Sequence, residues 1–217
     1  MAQCFRVWAA TRQSTTRRQS SPWTISWTLR SRRGASARRL CQPLCLLDPD
    51  GDLVRYLTLK EEGHRSDTWP CYHSDLHLFA RHGQEIGVVG CVVGAPYAVL
   101  VAEELFYLGC DTLISITSAG LLDEALTPPF FLLVEEAIRD EDTSCHYLPP
   151  DQPAVLAADV TETLAGTMTD LGIGRGVGWT TDAPFRETPG GGAVRLRDGQ
   201  AQTDHLFRPC DQSLGDR

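Results

Sequence analysis

The stretch from residue 86 to residue 120 constrains the fold more than any other part of this 217-residue chain. Residues 86–93 (IGVVGCVV) are apolar and rich in β-branched side chains, the pattern of a strand buried on both faces. Gly94-Ala95-Pro96 interrupts the run. Residues 97–108 (YAVLVAEELFYL) then predict a helix. Pro96 falls near its first turn, where a missing N–H costs no hydrogen bond, and Gly109 stands at the C-cap. Glu103 and Glu104 are its few polar residues, so most of its surface is expected to be buried. Residues 111–117 (DTLISIT) predict a second strand. Strand, helix and strand in this order make a β-α-β unit, with parallel strands and a right-handed crossover.

The pattern continues downstream. Residues 130–138 (FFLLVEEAI) are a third strand candidate, with a helix as the alternative, and residues 139–150 (RDEDTSCHYLPP) read as a polar loop. Residues 153–171 predict an amphipathic helix with Leu156, Val160, Leu164, Met168 and Leu171 along one face. Residues 174–181 predict a fourth strand, which runs into 182–188 (DAPFRET). The order β-α-β-β-α-β argues for an α/β fold.

Charge divides the chain. The formal net charge is −8, which argues against a generic nucleic-acid binder. Residues 1–40, however, hold nine arginines and no acidic residue, which leaves −17 on the rest. The arginine-rich start is open to three readings: a non-native extension, an organelle-targeting segment, or a basic nucleic-acid arm. Residues 189–217 begin Pro189-Gly190-Gly191-Gly192 and read as an unstructured or aberrant tail. The expected division is an extension at 1–42, a domain at 43–188 and a tail at 189–217. Hydrophobic residues make up 42% of the chain, enough for a core, and no apolar run reaches the ~18 residues of a membrane helix. The eight cysteines are scattered without a CxxC pair, which points to a reducing cytoplasm; Cys91 and Cys110 are expected to be small buried hydrophobes.

In open α/β sheets a ligand sits beyond the carboxyl ends of strands. Three segments hold such positions: 94–96, 117–120 (TSAG) and 180–188 (TTDAPFRET). Small residues let backbone N–H groups approach an anion, and a following helix N-terminus adds partial positive charge. The plainer reading of Gly94-Ala95-Pro96 is a tight turn.

Residues 88–120 (VVGCVVGAPYAVLVAEELFYLGCDTLISITSAG) resemble the core of the nucleoside phosphorylase superfamily, of the uridine phosphorylase and purine nucleoside phosphorylase type. A Gly-rich turn, a helix with Glu-Glu-Leu, a Leu-Gly and a strand ending in Thr/Ser-x-Gly recur in order. Residues 139–150 and 180–188 resemble two further signatures of the uridine phosphorylase-like members, and 48–55 (DPDGDLVR) is a weaker match to the first phosphate loop. The resemblance covers about 46–188. It implies a three-layer α/β/α sandwich with a central mixed β-sheet, incomplete at the C-terminus. It also implies phosphorolysis of a nucleoside, uridine-like by the base loop, to free base and ribose 1-phosphate. Phosphate is then a co-substrate, and no cofactor or metal is needed. Hydrolysis by a nucleosidase of the same superfamily, or a truncated inactive product, are the alternatives.

By the same resemblance, Gly94, Ser118, Gly120 and Arg55 would face phosphate. Thr181, Asp182, Phe185, Arg186 and Glu187 would hold the base. No catalytic residue is assigned. Plainer readings stand beside these: Phe185 as core, Asp182 as a turn cap, Arg186 and Glu187 as a solvated pair. A place near the sugar is one reading of Arg139 and His146; the plainer one is a surface ion pair and a loop histidine. The family strand usually carries a phosphate-binding Arg where this chain has Ser115, and the element that grips the ribose hydroxyls is expected to be missing after Thr188. Cys71, His73, Asp75, His77 and His82 could form an HxxxH-type metal cluster only on a helix, and the sequence shows no helical pattern there. The expected partners are a nucleoside and phosphate, without membrane or nucleic acid, in a homo-oligomer if the fold is complete.

Overall fold

The computed structural model describes residues 40–121 and 130–183, and the backbone of two further strands at 4–11 and 206–209. The elements begin with β1 (Cys4–Thr11), β2 (Leu44–Asp48), α1 (Asp52–Leu59), β3 (Gly63–Arg65), β4 (Leu76–Arg81), β5 (Gln84–Gly90) and α2 (Ala95–Leu108). They continue with β6 (Thr112–Leu121), β7 (Phe130–Asp140), β8 (Ala154–Val155), α3 (Ala158–Asp170), β9 (Gly174–Thr181) and β10 (Leu206–Pro209). The ten strands join in one mixed sheet.

Its middle is parallel. β2 lies between β5 and β6 and runs with both. The expected β-α-β unit is present, but its two strands are not neighbours, because the earlier strand β2 is inserted between them. Burial alternates along these strands as their pleat requires. Cys45 and Leu47 of β2, Val89 of β5 and Leu113 of β6 cluster with Val101, Leu105 and Phe106 of α2. Leu46 and Val88, one residue out of step, pack instead with Leu57 of α1. Ile114 joins this second face and also meets Leu133, Met168 and Leu164 under α3. Helices therefore cover both faces, α2 on one and α1 and α3 on the other, which makes three layers. Strands buried on both sides read as continuous apolar runs, so 86–120 was legible.

β4 pairs antiparallel with β5, and β3 with β4, on one side. On the other side the strands close into a ring. β6 pairs antiparallel with both β1 and β10; β1 runs parallel to β7, β7 to β9, and β9 to β10. Cys4 and Pro209 both take Ala119 as their partner.

Several expectations need correction. The strand at 86–93 ends at Gly90, and Cys91 is exposed at φ 60 rather than buried. The chain leaves the sheet at this point, and the Cys91 N–H bonds to the Asp48 carbonyl at 2.9 Å. Cys110 is fully buried, as expected. Residues 130–138 are strand, within a β7 that extends to Asp140. The helix expected at 153–171 starts only at Ala158, because β8 pairs with β7 and the Leu156 N–H bonds to the Glu135 carbonyl. Leu171 lies past its end and is exposed. Two strands, β1 and β10, lie in flanks where the sequence shows no periodicity, and residues 76–81 form β4. Among the described residues no helix is long and apolar enough to cross a membrane.

Candidate active site

β2, β5 and β6 point the same way, so the loops after them share one edge of the sheet. Asp48 ends β2 and organises that edge. Its carbonyl accepts the N–H of Gly51 at 3.0 Å and of Cys91 at 2.9 Å. Its carboxylate accepts the Val54 N–H at 2.9 Å, which satisfies a free donor in the first turn of α1. Burial pushes the Asp48 carboxyl up from the ordinary range; Asp50 and Asp52 add to this, and the Val54 and Leu53 N–H groups oppose it. Gly51 has φ 74, and a Cβ there would lie 2.6 Å from Cys91 Sγ, so glycine lets the two turns approach.

Asp50, in the same loop, reaches across to β6. Its Oδ2 accepts the Ser118 N–H at 2.6 Å and the Thr117 hydroxyl at 3.2 Å. Thus a carboxylate of the protein itself holds the N–H of Ser118, a residue that the sequence resemblance assigns to phosphate, and the hydroxyl of its neighbour Thr117. Ser118 and Gly120 belong to the last residues of β6 rather than to a turn, and Gly120 pairs with Arg208 of β10. Gly94 opens α2 at φ 90 without a side-chain cap. A Cβ on it would meet nothing closer than Pro96 Cδ at 4.0 Å, so the space beside this helix start is open. Gly94 and Ser118 therefore share the edge. Arg55 does not join them: it pairs with Asp52 at 3.0 Å, and both side chains are exposed.

Of the residues expected at the base, Thr181 ends β9 and Asp182 follows it. Both line an open cleft of ≈ 430 Å³ with Arg139, Asp140, Asp142 and Cys145. The Asp182 carboxylate accepts the Asp142 N–H at 3.1 Å, the turn-capping role that its residue type allows. Phe185, Arg186 and Glu187 lie outside the described residues. Through β10 the two groups come level. Pro209 pairs with Ala119, while Phe207 pairs with Gly178, so carrying the register on sets Thr180 level with Ala119. The two strand ends then lie two strand spacings apart, about 10 Å.

The surface ion pair expected for Arg139 is not what forms; its partners are uncharged. Its guanidinium donates to the Ser144 hydroxyl and to the carbonyls of Leu148, Pro149 and Gln152, between 2.6 and 3.0 Å. It thereby folds the 3-10 turn Thr143–His146 and the loop beyond against the end of β7. Tyr147 ties that loop to α2 by donating its hydroxyl to Glu103 at 2.7 Å, and burial and this contact push the phenol up. His146 is an exposed loop residue.

The five cysteine, histidine and aspartate positions weighed as an HxxxH-type cluster do not come together as a set. Asp75 pairs with Arg65, His77 lies within β4, and His82 sits in the turn after β4 at φ 50. Cys71 and His73 stay together, joined by Glu104 of α2. Sequence reasoning missed Asp50 and Glu104 as site residues. The acidic loop 48–52 was a signal for the first; the second stood in a helix whose buried face was already recognised.

The description "Phosphorylase superfamily" belongs to the family model that matches residues 45–206. The uridine phosphorylase of Thermococcus kodakarensis is 28% identical over 141 residues, 60% of this chain and 51% of that protein. The chain spans about half or less of the length of the curated relatives it matches. Among solved structures, uridine phosphorylase from Vibrio fischeri superposes with a TM-score of 0.59 at 18% identity, covering 78% of this chain and 69% of that one. Purine nucleoside phosphorylase from Toxoplasma gondii, in complex with immucillin-H, gives 0.56 at 18% identity, covering 80% and 78%. At such identities these two structures speak for the fold: α/β, with helices on a mixed sheet.

Proposed function

The chain belongs to the phosphorylase superfamily, and from that premise we propose that it cleaves the N-glycosidic bond of a nucleoside with phosphate as the acceptor. In this reaction a phosphate oxygen bonds to C1′ of the sugar. The base leaves with the electrons of the broken bond and takes up a proton. Such chemistry rests on positioning and on electrostatic stabilisation, and it calls for no cofactor. Gly94, Ser118 and Gly120 serve the phosphate. Thr181, Asp182, Phe185, Arg186 and Glu187 serve the base. A uridine-like base is favoured by the base loop and by the names of the relatives.

One observation supports the phosphate side above the others. The Ser118 N–H and the Thr117 hydroxyl converge on a single anionic oxygen, that of Asp50, at the sheet edge where α2 begins. Donors so arranged suit an oxyanion. The same observation favours a second reading, hydrolysis. A carboxylate already holds these donors, Arg55 is engaged by Asp52, and Ser115 carries no charge to offset a phosphate. In that reading Asp50 takes a proton from the attacking water.

A reducing cytoplasm and assembly with further copies belong to this proposal. The first is supported by six cysteines that form no disulfide among the described residues. The test is base release by the 217-residue chain from uridine, thymidine, inosine and adenosine, with and without phosphate. Uracil release that requires phosphate is the expected result. Release without phosphate selects hydrolysis, and no release from any of the four overturns the catalytic reading of this chain.

A further inference from the structure

We propose that Cys71, His73 and Glu104 form a metal site of the zinc class, independent of nucleoside chemistry. One donor atom from each lies within 4.8 Å of the others. Cys71 and His73 flank a single residue in the loop before β4, and Glu104 comes from α2, so the site joins two segments 31 positions apart. The Nε2 of His73 and the Oε1 of Glu104 are 3.1 Å apart. Ligands at zinc bond lengths of about 2.0–2.3 Å in a tetrahedron stand roughly 3.3–3.8 Å from one another. The observed cluster is thus within about 1 Å of that geometry, a distance that side-chain torsions cover.

Burial makes the arrangement informative. The Glu104 side chain is 5% exposed, yet its Oε2 has no hydrogen-bond partner, and neither does the buried Nδ1 of His73. A buried carboxylate with an unused oxygen costs stability unless a cation or donor meets it. A divalent ion among these three groups would supply that partner. His73 is also oriented: Tyr97 donates its hydroxyl to the His73 carbonyl at 2.6 Å, and the rings of Tyr72 and Tyr97 meet the imidazole edge to face. These contacts hold the backbone and the ring of His73 in place beside Glu104. Thiolate, imidazole and carboxylate together select zinc or cobalt over magnesium or calcium. With three protein ligands, water completes the tetrahedron. The ion would pin the loop before β4 to α2.

The test is titration of the full chain with Co2+ alone, followed by competition with Zn2+. The expected result is one equivalent of cobalt, with tetrahedral visible bands and a thiolate-to-cobalt charge-transfer band that zinc abolishes. Cys71→Ser should lose the charge-transfer band, and Glu104→Gln should weaken binding by more than about tenfold, at least the loss typical of a supporting residue. Cys91→Ser and Cys145→Ser, which remove the two exposed thiols, should leave the spectrum unchanged. Absence of the charge-transfer band in the wild type overturns the proposal, as does its persistence in Cys71→Ser or its loss in Cys91→Ser. Should circular dichroism show Cys71→Ser unfolded, Glu104→Gln decides, and unchanged affinity there overturns the site.

Discussion

At the scale of single residues, two aspartates two positions apart, at the end of β2 and in the loop after it, behave differently. Asp50 holds the Ser118 N–H and the Thr117 hydroxyl with one oxygen. Under the proposed phosphorolysis, phosphate must displace it, against like charge. Asp50→Asn is therefore expected to lower the KM for phosphate by about tenfold, a change of roughly 1.4 kcal/mol, in steady-state uridine cleavage. Under the hydrolytic reading the same substitution instead abolishes phosphate-independent release, so one variant separates the two. Asp48 is buried, and its folded carboxyl titrates above its unfolded one. The folded state then binds the proton more tightly. Its contribution to stability is complete below the unfolded carboxyl pKa and is lost as pH rises through the folded one. Asp48→Asn keeps an acceptor for the Val54 N–H but does not titrate. Its melting temperature should therefore gain on the wild type as pH rises from about 4 to about 8, in parallel thermal scans. A constant difference would contradict the burial argument.

At the scale of elements, Arg139 shows how one side chain makes a loop into a structure. It donates to the loop after β7 at four oxygens. Arg139→Ala should cost roughly 2–3 kcal/mol and strip amide-exchange protection from 143–152 while β5 and β6 keep theirs. Arg139→Lys should not restore it, since an ammonium cannot span the fork. Equal loss of protection in β5 would show that the loop is not a separable unit. Legibility from sequence follows the same physics. The 86–120 unit and β9 were readable because burial on both faces leaves apolar runs. α1 was not, since Tyr56 and Leu59 are exposed and only Leu57 is buried. β4 was obscured by its two-faced pattern, with Leu76 and Phe79 buried among histidine and arginine. That Gly94 and Ser118 come to one edge of the sheet was readable from chain order, although Ser118 lies within β6 and not beyond it. The Asp50 contact was not, because it joins residues 68 apart.

At the scale of the whole molecule, β1 pairs along eight residues of β6 and also with β7. Its pairing is decided by tertiary context, which is why residues 4–11 carry no periodic signal. Deleting residues 1–11 uncovers edges on both strands. The melting temperature should fall by about 5–10 °C, with more aggregation by light scattering. An unchanged transition would mean that the ring closes without β1. The ring also has a mechanical side. Cys4 and Pro209 meet the sheet on opposite sides of one buried residue, Ala119. A pull applied between those two residues would load both seams of β6 at once, where neither strand can peel before the other. A short peptide joining them, by contrast, would span only about two strand spacings, roughly 10 Å. The chain could then be cut elsewhere and re-entered as a circular permutant, with β6 as its hinge pin.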